Sequence, residues 1–177
     1  MNEYERKFRC TDVDKITQQL TQKGFIKHKE KHQVDTYFIV NKTDEQQRRV
    51  YLRIREDKKK NSSSLDYHIV LNDDTTKEIE VGVEDAKKTT EILNQLGQQV
   101  VCVVNKKRLS YKKSHIEVTI DRIDELGVFV EVEVSLDDAK EAIEELNSTC
   151  QLLKLKNENR VSGEGYPDLL IKHENNT

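Results

Sequence analysis

The 177-residue sequence has few of the residues that build disulfide scaffolds or zinc sites. Its three cysteines, Cys10, Cys102 and Cys150, are odd in number and widely spaced, and no Cys-x-x-Cys pair is present. This excludes a disulfide framework and a cysteine zinc site, and it is typical of reduced thiols in a cytoplasmic protein. The five histidines show no metal-ligand spacing, so the sequence gives no reason to expect a histidine ligand.

Long hydrophobic runs and an excess of one charge are also absent. No apolar stretch could span a bilayer and no signal peptide is recognisable, so we expect no membrane partner. The net charge is −3, with 30 basic and 33 acidic residues interleaved, which argues against a general nucleic-acid-binding protein. We find no internal repeat and no clear boundary, and the length therefore predicts one domain over residues 1–177.

The hydrophobic residues that are present follow a regular pattern, which begins with residues 3–8. Successive side chains of a strand point to opposite faces, so Glu3, Glu5 and Lys7 share one face and Tyr4 and Phe8 share the other. Two carboxylates and an ammonium do not make an ordinary core. In one strand alone such a face is usually exposed to solvent, so it could contact water, a metal or a ligand.

Later strands repeat this alternation of an aliphatic face with an ionic one. The pattern predicts strands at residues 3–8, 34–40, 50–55, 65–71, 78–81, 100–111, 116–121 and 127–134. Helical spacing predicts three helices, after Thr11 or Asp12, after Asp85, and over about residues 136–146. The ionic faces carry Glu3, Glu5, Lys7, Arg53, Arg55, Glu78, Glu80, Lys106, Arg108, Glu117, Asp121, Glu131 and Glu133.

Closing the sheet into a barrel would give both the ionic and the aliphatic strand faces a suitable environment. A closed antiparallel barrel has no free edges, and it would place the ionic face inside and the aliphatic face outside, under the helices. The sequence thus predicts an α+β fold, with a closed eight-stranded antiparallel β-barrel and helices packed outside. Carboxylate clusters favour hard divalent cations, and Arg/Lys clusters favour phosphate, so the interior predicts a metal–polyphosphate site.

These residues resemble the CYTH superfamily of triphosphate tunnel metalloenzymes. Glu3, Glu5 and Lys7 are similar to its Glu-x-Glu-x-Lys signature. Other similar stretches follow in the family's order across nearly the whole chain, at residues 35–38, 52–55, 104–111, 121–133 and 166–170. Residues 121–133 are most similar to class IV adenylyl cyclases.

The resemblance implies a tunnel that binds Mg²⁺ or Mn²⁺ and a triphosphate small molecule such as ATP, tripolyphosphate or thiamine triphosphate. It implies metal binding by Glu3, Glu5, Glu131 and Glu133, with Asp121 and Glu80 as helpers. It implies phosphate binding by Lys7, Arg53, Arg55, Lys106 and Arg108, of which Lys7, Arg55, Lys106 and Arg108 are also the catalytic cations. Outer surfaces in this family often pair, so a homodimer is a further implication.

One position departs from the family pattern. The family usually has Thr-x-Lys in the fourth strand, and we align Val70-Leu71-Asn72 with it, so that Asn72 replaces a lysine that points at the phosphates. Three functions stay open: an adenylyl cyclase-like enzyme, a tripolyphosphate or thiamine-triphosphate phosphatase, and a non-catalytic polyphosphate- or nucleotide-binding module with a degraded site. The first is the main prediction.

Overall fold

The computed structural model describes residues 2–176, so the two end residues of the predicted domain, 1 and 177, lie outside the described part. Strands and helices follow in the order β1 (Asn2–Arg9), α1 (Val13–Gln22), β2 (Ile26–Thr43), β3 (Arg49–Asp57), β4 (Ser62–Asn72), β5 (Thr75–Val83), α2 (Ala86–Gln95), β6 (Cys102–Lys113), β7 (Ile116–Ile123), β8 (Gly127–Val134), α3 (Ala139–Leu152), β9 (Arg160–Val161) and α4 (Tyr166–Glu174). Among these residues, no helix is long and apolar enough to cross a membrane.

The strands form a closed barrel. Antiparallel neighbours run in the order β5-β4-β3-β2-β6-β7-β8-β1, and β1 then pairs with β5 to close the ring. The predicted eight-stranded antiparallel barrel is therefore confirmed. Residues Asn2 to Tyr4 of β1 pair with β5, whereas Lys7 and Phe8 pair with the two-residue strand β9 along the same edge. Closure at this seam thus needs the C-terminal part of the chain.

The aliphatic strand faces point outward, and helices cover much of them. Ile16 and Leu20 of α1 and Leu146 of α3 pack with Phe8 and Val132 on one side of the barrel. Leu93 of α2 packs with Phe38 and Ile54 on another side. Burial of these side chains stabilises the fold by about 1.5–3 kcal/mol each, and the outward faces therefore fix which side of each strand looks into the barrel.

Local signals explain where the helices begin. The side chains of Asp12, Asp85 and Asp138 each accept a hydrogen bond of 2.9 Å from the backbone N–H three residues later, which caps α1, α2 and α3. The first two caps match the predicted positions. The third shows that α3 begins at Ala139, three residues later than predicted, and it continues to Leu152.

Two elements differ more strongly from the sequence prediction. Strand β2 begins at Ile26 and not at residue 34, because the basic segment from Lys27 to Lys31 pairs with β6. The C-terminal segment forms the helix α4, which the sequence did not predict. Its first turn is held by Asp168, whose carboxylate accepts hydrogen bonds from the Gly165 backbone N–H at 2.7 Å and from the Tyr51 hydroxyl at 2.8 Å.

Candidate functional site

The barrel encloses a cavity of about 300 Å³ that is lined mainly by charged side chains. All eight barrel strands contribute to the lining, and the segment from Val161 to Pro167 closes one part of the wall. The predicted site residues that line it are Glu3, Glu5, Lys7, Arg53, Arg55, Lys106, Arg108, Glu131 and Glu133. Strand alternation, together with outward burial of the aliphatic residues, therefore brings nine of the predicted site residues into one space.

Acidic side chains from β1 and β8 face one another across a strand pair. The register places Glu5 opposite Glu133 and Lys7 opposite Glu131. Like charges directly opposite each other are destabilising. Burial, with Glu78 and Glu133 nearby, raises the pKa of Glu3 to about 8, and burial together with Glu131 raises the pKa of Glu5 to about 7. A divalent cation would relieve this repulsion, and carboxylate oxygens are ligands that Mg²⁺ and Mn²⁺ prefer.

Glu131 has the opposite electrostatic environment. Burial alone would raise its pKa, but Arg108 and Lys7 outweigh that effect and lower it. Its carboxylate contacts the Arg108 guanidinium, and the Lys7 ammonium lies 3.4 Å from its other oxygen. Glu131 therefore links the acidic side of the cavity to the basic side.

One buried carboxylate organises three of the cations. Asp35 of β2 is fully buried, and its oxygens accept bonds from Arg55 at 2.8 and 2.9 Å and from Lys106 at 3.0 Å, with Arg53 at 3.8 Å. These cations outweigh the effect of burial and hold the pKa of Asp35 well below its usual range. Burial and the Arg55 charge lower the pKa of Lys106 to about 7. The sequence placed Asp35 in a family-like stretch without assigning it this role.

A second buried carboxylate fixes the fourth cation. Asp121 of β7 accepts a hydrogen bond from Arg108 Nε at 2.7 Å and another from the Tyr166 hydroxyl at 2.9 Å. Asp121 is fully buried and does not line the cavity. Its position is therefore that of a residue that orients Arg108, and not that of an open metal ligand.

Tyr166, the first residue of α4, lies between the cations. The Lys7 ammonium is 4.2 Å from the centre of its ring and the Lys106 ammonium is 5.6 Å away. Both distances are within the range of a cation–π interaction. Phe129 packs edge-on against the same ring, with the ring centres 5.1 Å apart. Helix α4, which the sequence analysis did not predict, therefore contributes an aromatic side chain to the wall of the site.

Glu80, a predicted metal ligand, does not line the cavity. It shares a strand face with Glu78 but is exposed, whereas Glu78 lies within the lining and receives a 3.1 Å hydrogen bond from Arg53. The pattern gave both residues the same face and could not tell which one lies deeper in the barrel. The structure thus places Glu78 in the site in the position expected for Glu80.

Further lining residues received no site role from the sequence. Lys31 of β2 and Arg49 of β3 add positive charge, Glu117 of β7 adds a carboxylate, and His68 of β4 adds an imidazole. Lys31 belongs to a segment interpreted as a loop or the start of a strand, so its face could not be assigned. Glu117 stood on the predicted ionic face, and strand alternation was the signal that could have identified it.

Asn72 lies at the end of β4, on the exposed rim of the cavity. Its side-chain oxygen accepts a 2.9 Å hydrogen bond from the Asp74 backbone N–H and so stabilises the turn into β5. The inward-facing β4 residues deeper in the barrel are Asp66, His68 and Val70. The position of Asn72 is therefore that of a turn residue next to the site.

Comparison with known proteins agrees with this architecture. The model of the CYTH domain family matches residues 1–163. A protein of Methanocaldococcus jannaschii named "Putative adenylate cyclase MJ0240" is 36% identical over 160 residues, which cover 89% of this chain and 90% of the relative.

Two solved structures illustrate the similarity of fold. The PH1012 protein from Pyrococcus horikoshii is 25% identical, with a TM-score of 0.84 over 94% of this chain and 98% of its own. A Hippeastrum protein described as a "putative adenylyl cyclase" with a dominant triphosphatase activity is 13% identical, with a TM-score of 0.66 over 97% of this chain and 95% of its own. At 13% identity the second similarity concerns the fold alone.

Proposed function

Because the chain belongs to the CYTH domain family, we propose that it is a divalent-metal-dependent enzyme that acts on a triphosphate, with an adenylyl cyclase-like reaction. One observation carries this proposal: a single cavity is lined both by a group of carboxylates from β1 and β8 and by a group of largely buried cations. The name of the Methanocaldococcus jannaschii relative supports the cyclase choice.

The residues present fit Mg²⁺ or Mn²⁺. Glu3, Glu5 and Glu133 supply carboxylates on the neighbouring strands β1 and β8, their pKa values are raised by burial and by nearby carboxylates, and Glu131 lies beside them. We propose these four as the metal ligands. Asp121, which is held by Arg108 and Tyr166, and the exposed Glu80 do not belong to this set. When bound, the metal would neutralise charge on the reacting phosphate.

The cations supply the phosphate site. Lys7, Arg53, Arg55, Lys106 and Arg108 are held by buried carboxylates in fixed orientations, and they would exchange part of these contacts for phosphate oxygens. Guanidinium groups suit phosphate because their parallel N–H donors match its oxygens. We propose Lys7, Arg55, Lys106 and Arg108 as the catalytic cations, because a fixed positive charge stabilises the transition state without reorganisation.

Both candidate reactions require that the attacking oxygen is correctly positioned relative to the phosphorus atom. In the cyclase reaction, the ribose 3′-oxygen attacks the α-phosphorus, the bond from that phosphorus to pyrophosphate breaks, and the hydroxyl proton leaves, which gives cyclic AMP. If water instead attacks the terminal phosphorus, the bond from that phosphorus to the bridging oxygen breaks, the diphosphate part of the substrate leaves, and orthophosphate is formed, which makes the protein a phosphatase. Under this proposal both reactions would use the same metal ligands and the same cations.

The decisive experiment is product identification. The purified protein is incubated with ATP, tripolyphosphate and thiamine triphosphate, each with Mg²⁺ or Mn²⁺, and the products are separated by chromatography. We expect cyclic AMP and pyrophosphate from ATP. Orthophosphate from any of the three would favour the phosphatase instead, and the absence of turnover with all three would contradict the enzyme proposal.

Glu5→Gln and Glu133→Gln test the metal ligands. Each removes a carboxylate from the acidic group, and we expect each to reduce metal-dependent turnover by about 100-fold or more. Glu80→Gln is the matched control, because it makes the same chemical change on an exposed residue outside the cavity, and it should retain activity. Full activity in both cavity variants would overturn the ligand assignment.

A binding module without turnover is the second candidate, and it is favoured by the neutral side chain of Asn72 in the cavity lining, where the resemblance to the family predicts a lysine. Under this alternative, the wild-type protein binds tripolyphosphate but does not cleave it. Asn72→Lys would then add a charged donor beside the cavity, and we expect roughly tenfold tighter binding of tripolyphosphate, since a hydrogen bond to a charged group contributes about 1.5–3 kcal/mol. Unchanged binding, measured by calorimetry, would show that this position does not limit the site.

Three broader features complete the proposal. We propose that the chain forms one domain, because β1 pairs with β8 and β9 from the distant part of the sequence. A cytoplasmic location is supported by Cys10, Cys102 and Cys150, which are free thiols. We also propose a homodimer, which is supported by apolar side chains exposed on the outer face of β5, Ile79 and Val81.

A further inference from the structure

A second group of metal-ligand side chains lies in the barrel, next to the carboxylates of β1 and β8. Asp66 and His68 stand two residues apart on the inner face of β4, and Glu78 lies directly opposite His68 on β5. One potential ligand atom from each of the three residues lies within 4.8 Å of the other two. The strand register therefore creates a compact group with two carboxylates and one imidazole.

One buried carboxylate oxygen in this group lacks a hydrogen-bond partner among the described residues. Asp66 is fully buried, and although its Oδ2 accepts a 2.8 Å bond from Arg53 Nε, its Oδ1 has no partner. His68 Nε2 is buried as well. It lies 2.7 Å from Glu78 Oε1, a distance at which the imidazole and the carboxylate already form a pair. A buried polar atom without a partner costs about 1–3 kcal/mol, so Asp66 Oδ1 points to a missing ligand.

The charge and chemistry of the group suit a transition metal. The two carboxylates carry two negative charges, which a divalent cation would balance where it displaces the Arg53 guanidinium from them. Imidazole nitrogen combined with carboxylate oxygen suits Zn²⁺ and Co²⁺, whereas Mg²⁺ prefers oxygen ligands. Burial, together with the Arg53 charge, lowers the pKa of His68 and favours the neutral imidazole, the form that binds metals.

We propose that Asp66, His68 and Glu78 form a second metal site, which takes a transition-metal ion such as Zn²⁺ or Co²⁺ and lies next to the Mg²⁺/Mn²⁺ carboxylates, with Glu78 beside Glu3. The site stands on its own residues and does not depend on the reaction that the protein catalyses. Arg53 contacts both carboxylates, so an ion bound here would compete with Arg53 for the same oxygens. Occupancy would thus change how strongly Arg53 is held by the protein.

Cobalt binding tests this site directly. The metal-free protein is first saturated with Mg²⁺ and then titrated with Co²⁺, and both visible absorption and calorimetry are followed. We expect one Co²⁺ site in the wild-type protein, with absorption bands of a nitrogen-and-oxygen ligand set. His68→Ala and His68→Gln should each weaken it by at least about tenfold, because a ligand is lost.

Two controls distinguish binding at this site from Co²⁺ binding elsewhere on the protein. His32→Ala removes a histidine that is hydrogen-bonded to Asn105, and it should bind Co²⁺ as the wild type does. Glu5→Gln should also retain the Co²⁺ site while losing Mg²⁺ affinity. The proposal is overturned if both His68 variants bind Co²⁺ with wild-type affinity, or if Glu5→Gln removes the Co²⁺ site. Retained Mg²⁺ binding shows that the His68 variants are folded.

Discussion

The glutamates in the cavity differ in pKa, because different residues lie next to each of them. Glu3 and Glu5 are buried beside other carboxylates, and their pKa values rise to about 8 and about 7. Glu131 is also buried in the barrel wall but contacts Arg108 and Lys7, and its pKa falls. Near neutral pH, Glu3 and Glu5 therefore hold protons that a metal ion would have to displace.

This protonation predicts pH-dependent metal binding. Between the ordinary carboxyl pKa of 4.5 and about 8, the folded metal-free protein keeps protons that the unfolded chain has released, so Glu3 and Glu5 reduce its stability as the pH rises. Metal binding reverses this penalty and releases the protons. We expect Mg²⁺ affinity to rise from pH 6 to pH 8, by about tenfold per pH unit where one proton is displaced.

Calorimetry in two buffers of different ionisation enthalpy measures the proton release. Glu5→Gln removes one of the titrating groups and should reduce the number of protons released. Glu80→Gln, which alters an exposed carboxyl outside the cavity, should leave that number unchanged. Mg²⁺ affinity that stays constant from pH 6 to pH 8 would contradict the assignment of Glu3 and Glu5 as ligands.

Helix α4 acts at the scale of a whole element, because it holds the barrel wall and the cations together. Its first residue, Tyr166, bonds to Asp121 behind Arg108, and its third, Asp168, bonds to Tyr51 of β3. The preceding strand β9 pairs with Lys7 and Phe8 of β1, where β5 no longer reaches. The segment therefore completes both the wall and the orientation of the site.

Tyr166→Phe tests this contribution with a minimal change. The ring would still pack against Phe129 and Lys7, but the buried carboxylate of Asp121 would lose the 2.9 Å hydrogen bond from the hydroxyl. We expect the free energy of unfolding to fall by about 1–3 kcal/mol, as measured by urea denaturation. Turnover should also decrease, since Asp121 orients Arg108.

Tyr67→Phe is the matched control for this variant. Tyr67 lies on the outer face of β4 and is only partly buried, so loss of its hydroxyl should change the unfolding free energy by less than about 0.5 kcal/mol. Equal stability losses in the two variants would mean that the Tyr166 hydroxyl has no special role in holding the site.

The outer surface matters at the scale of the whole molecule. Helices cover two sides of the barrel, but Ile79 and Val81 of β5 remain 55% and 58% exposed. Both residues lie on the outward face of the same strand. Neighbouring exposed apolar side chains favour association between chains, which is consistent with the proposed homodimer.

Val81→Asp tests the homodimer. A charge at the centre of an apolar interface is costly to bury, so we expect the variant to have the 20.7 kDa mass of one chain, where the wild type has the mass of two. Light scattering after size-exclusion chromatography measures both. Ile26→Asp is the control, because Ile26 is 73% exposed at the start of β2 and should not affect pairing. A monomeric wild-type protein would contradict the proposal.

The sequence could predict most of the fold because strand alternation is a local property. The alternation of side chains within each strand shows which of them share a face. This alternation predicts that Glu5, Lys106 and Glu133 point into the barrel, and all three line the cavity. Helix α4 was not predictable in the same manner. Its position depends on Asp168 reaching Tyr51 of β3, a contact between residues far apart in the chain.

What the sequence determined alone was the closed barrel with an ionic interior, because a period of two residues fixes which face of each strand is charged. Only the tertiary structure decided how deeply each charged side chain lies in the barrel and which residue it contacts. Glu78 and Glu80 share a face, yet only Glu78 lines the cavity, and His68 gains significance only because the β4–β5 register places it opposite Glu78. Depth and pairing depend on strand register and barrel closure, which no single segment of the sequence contains.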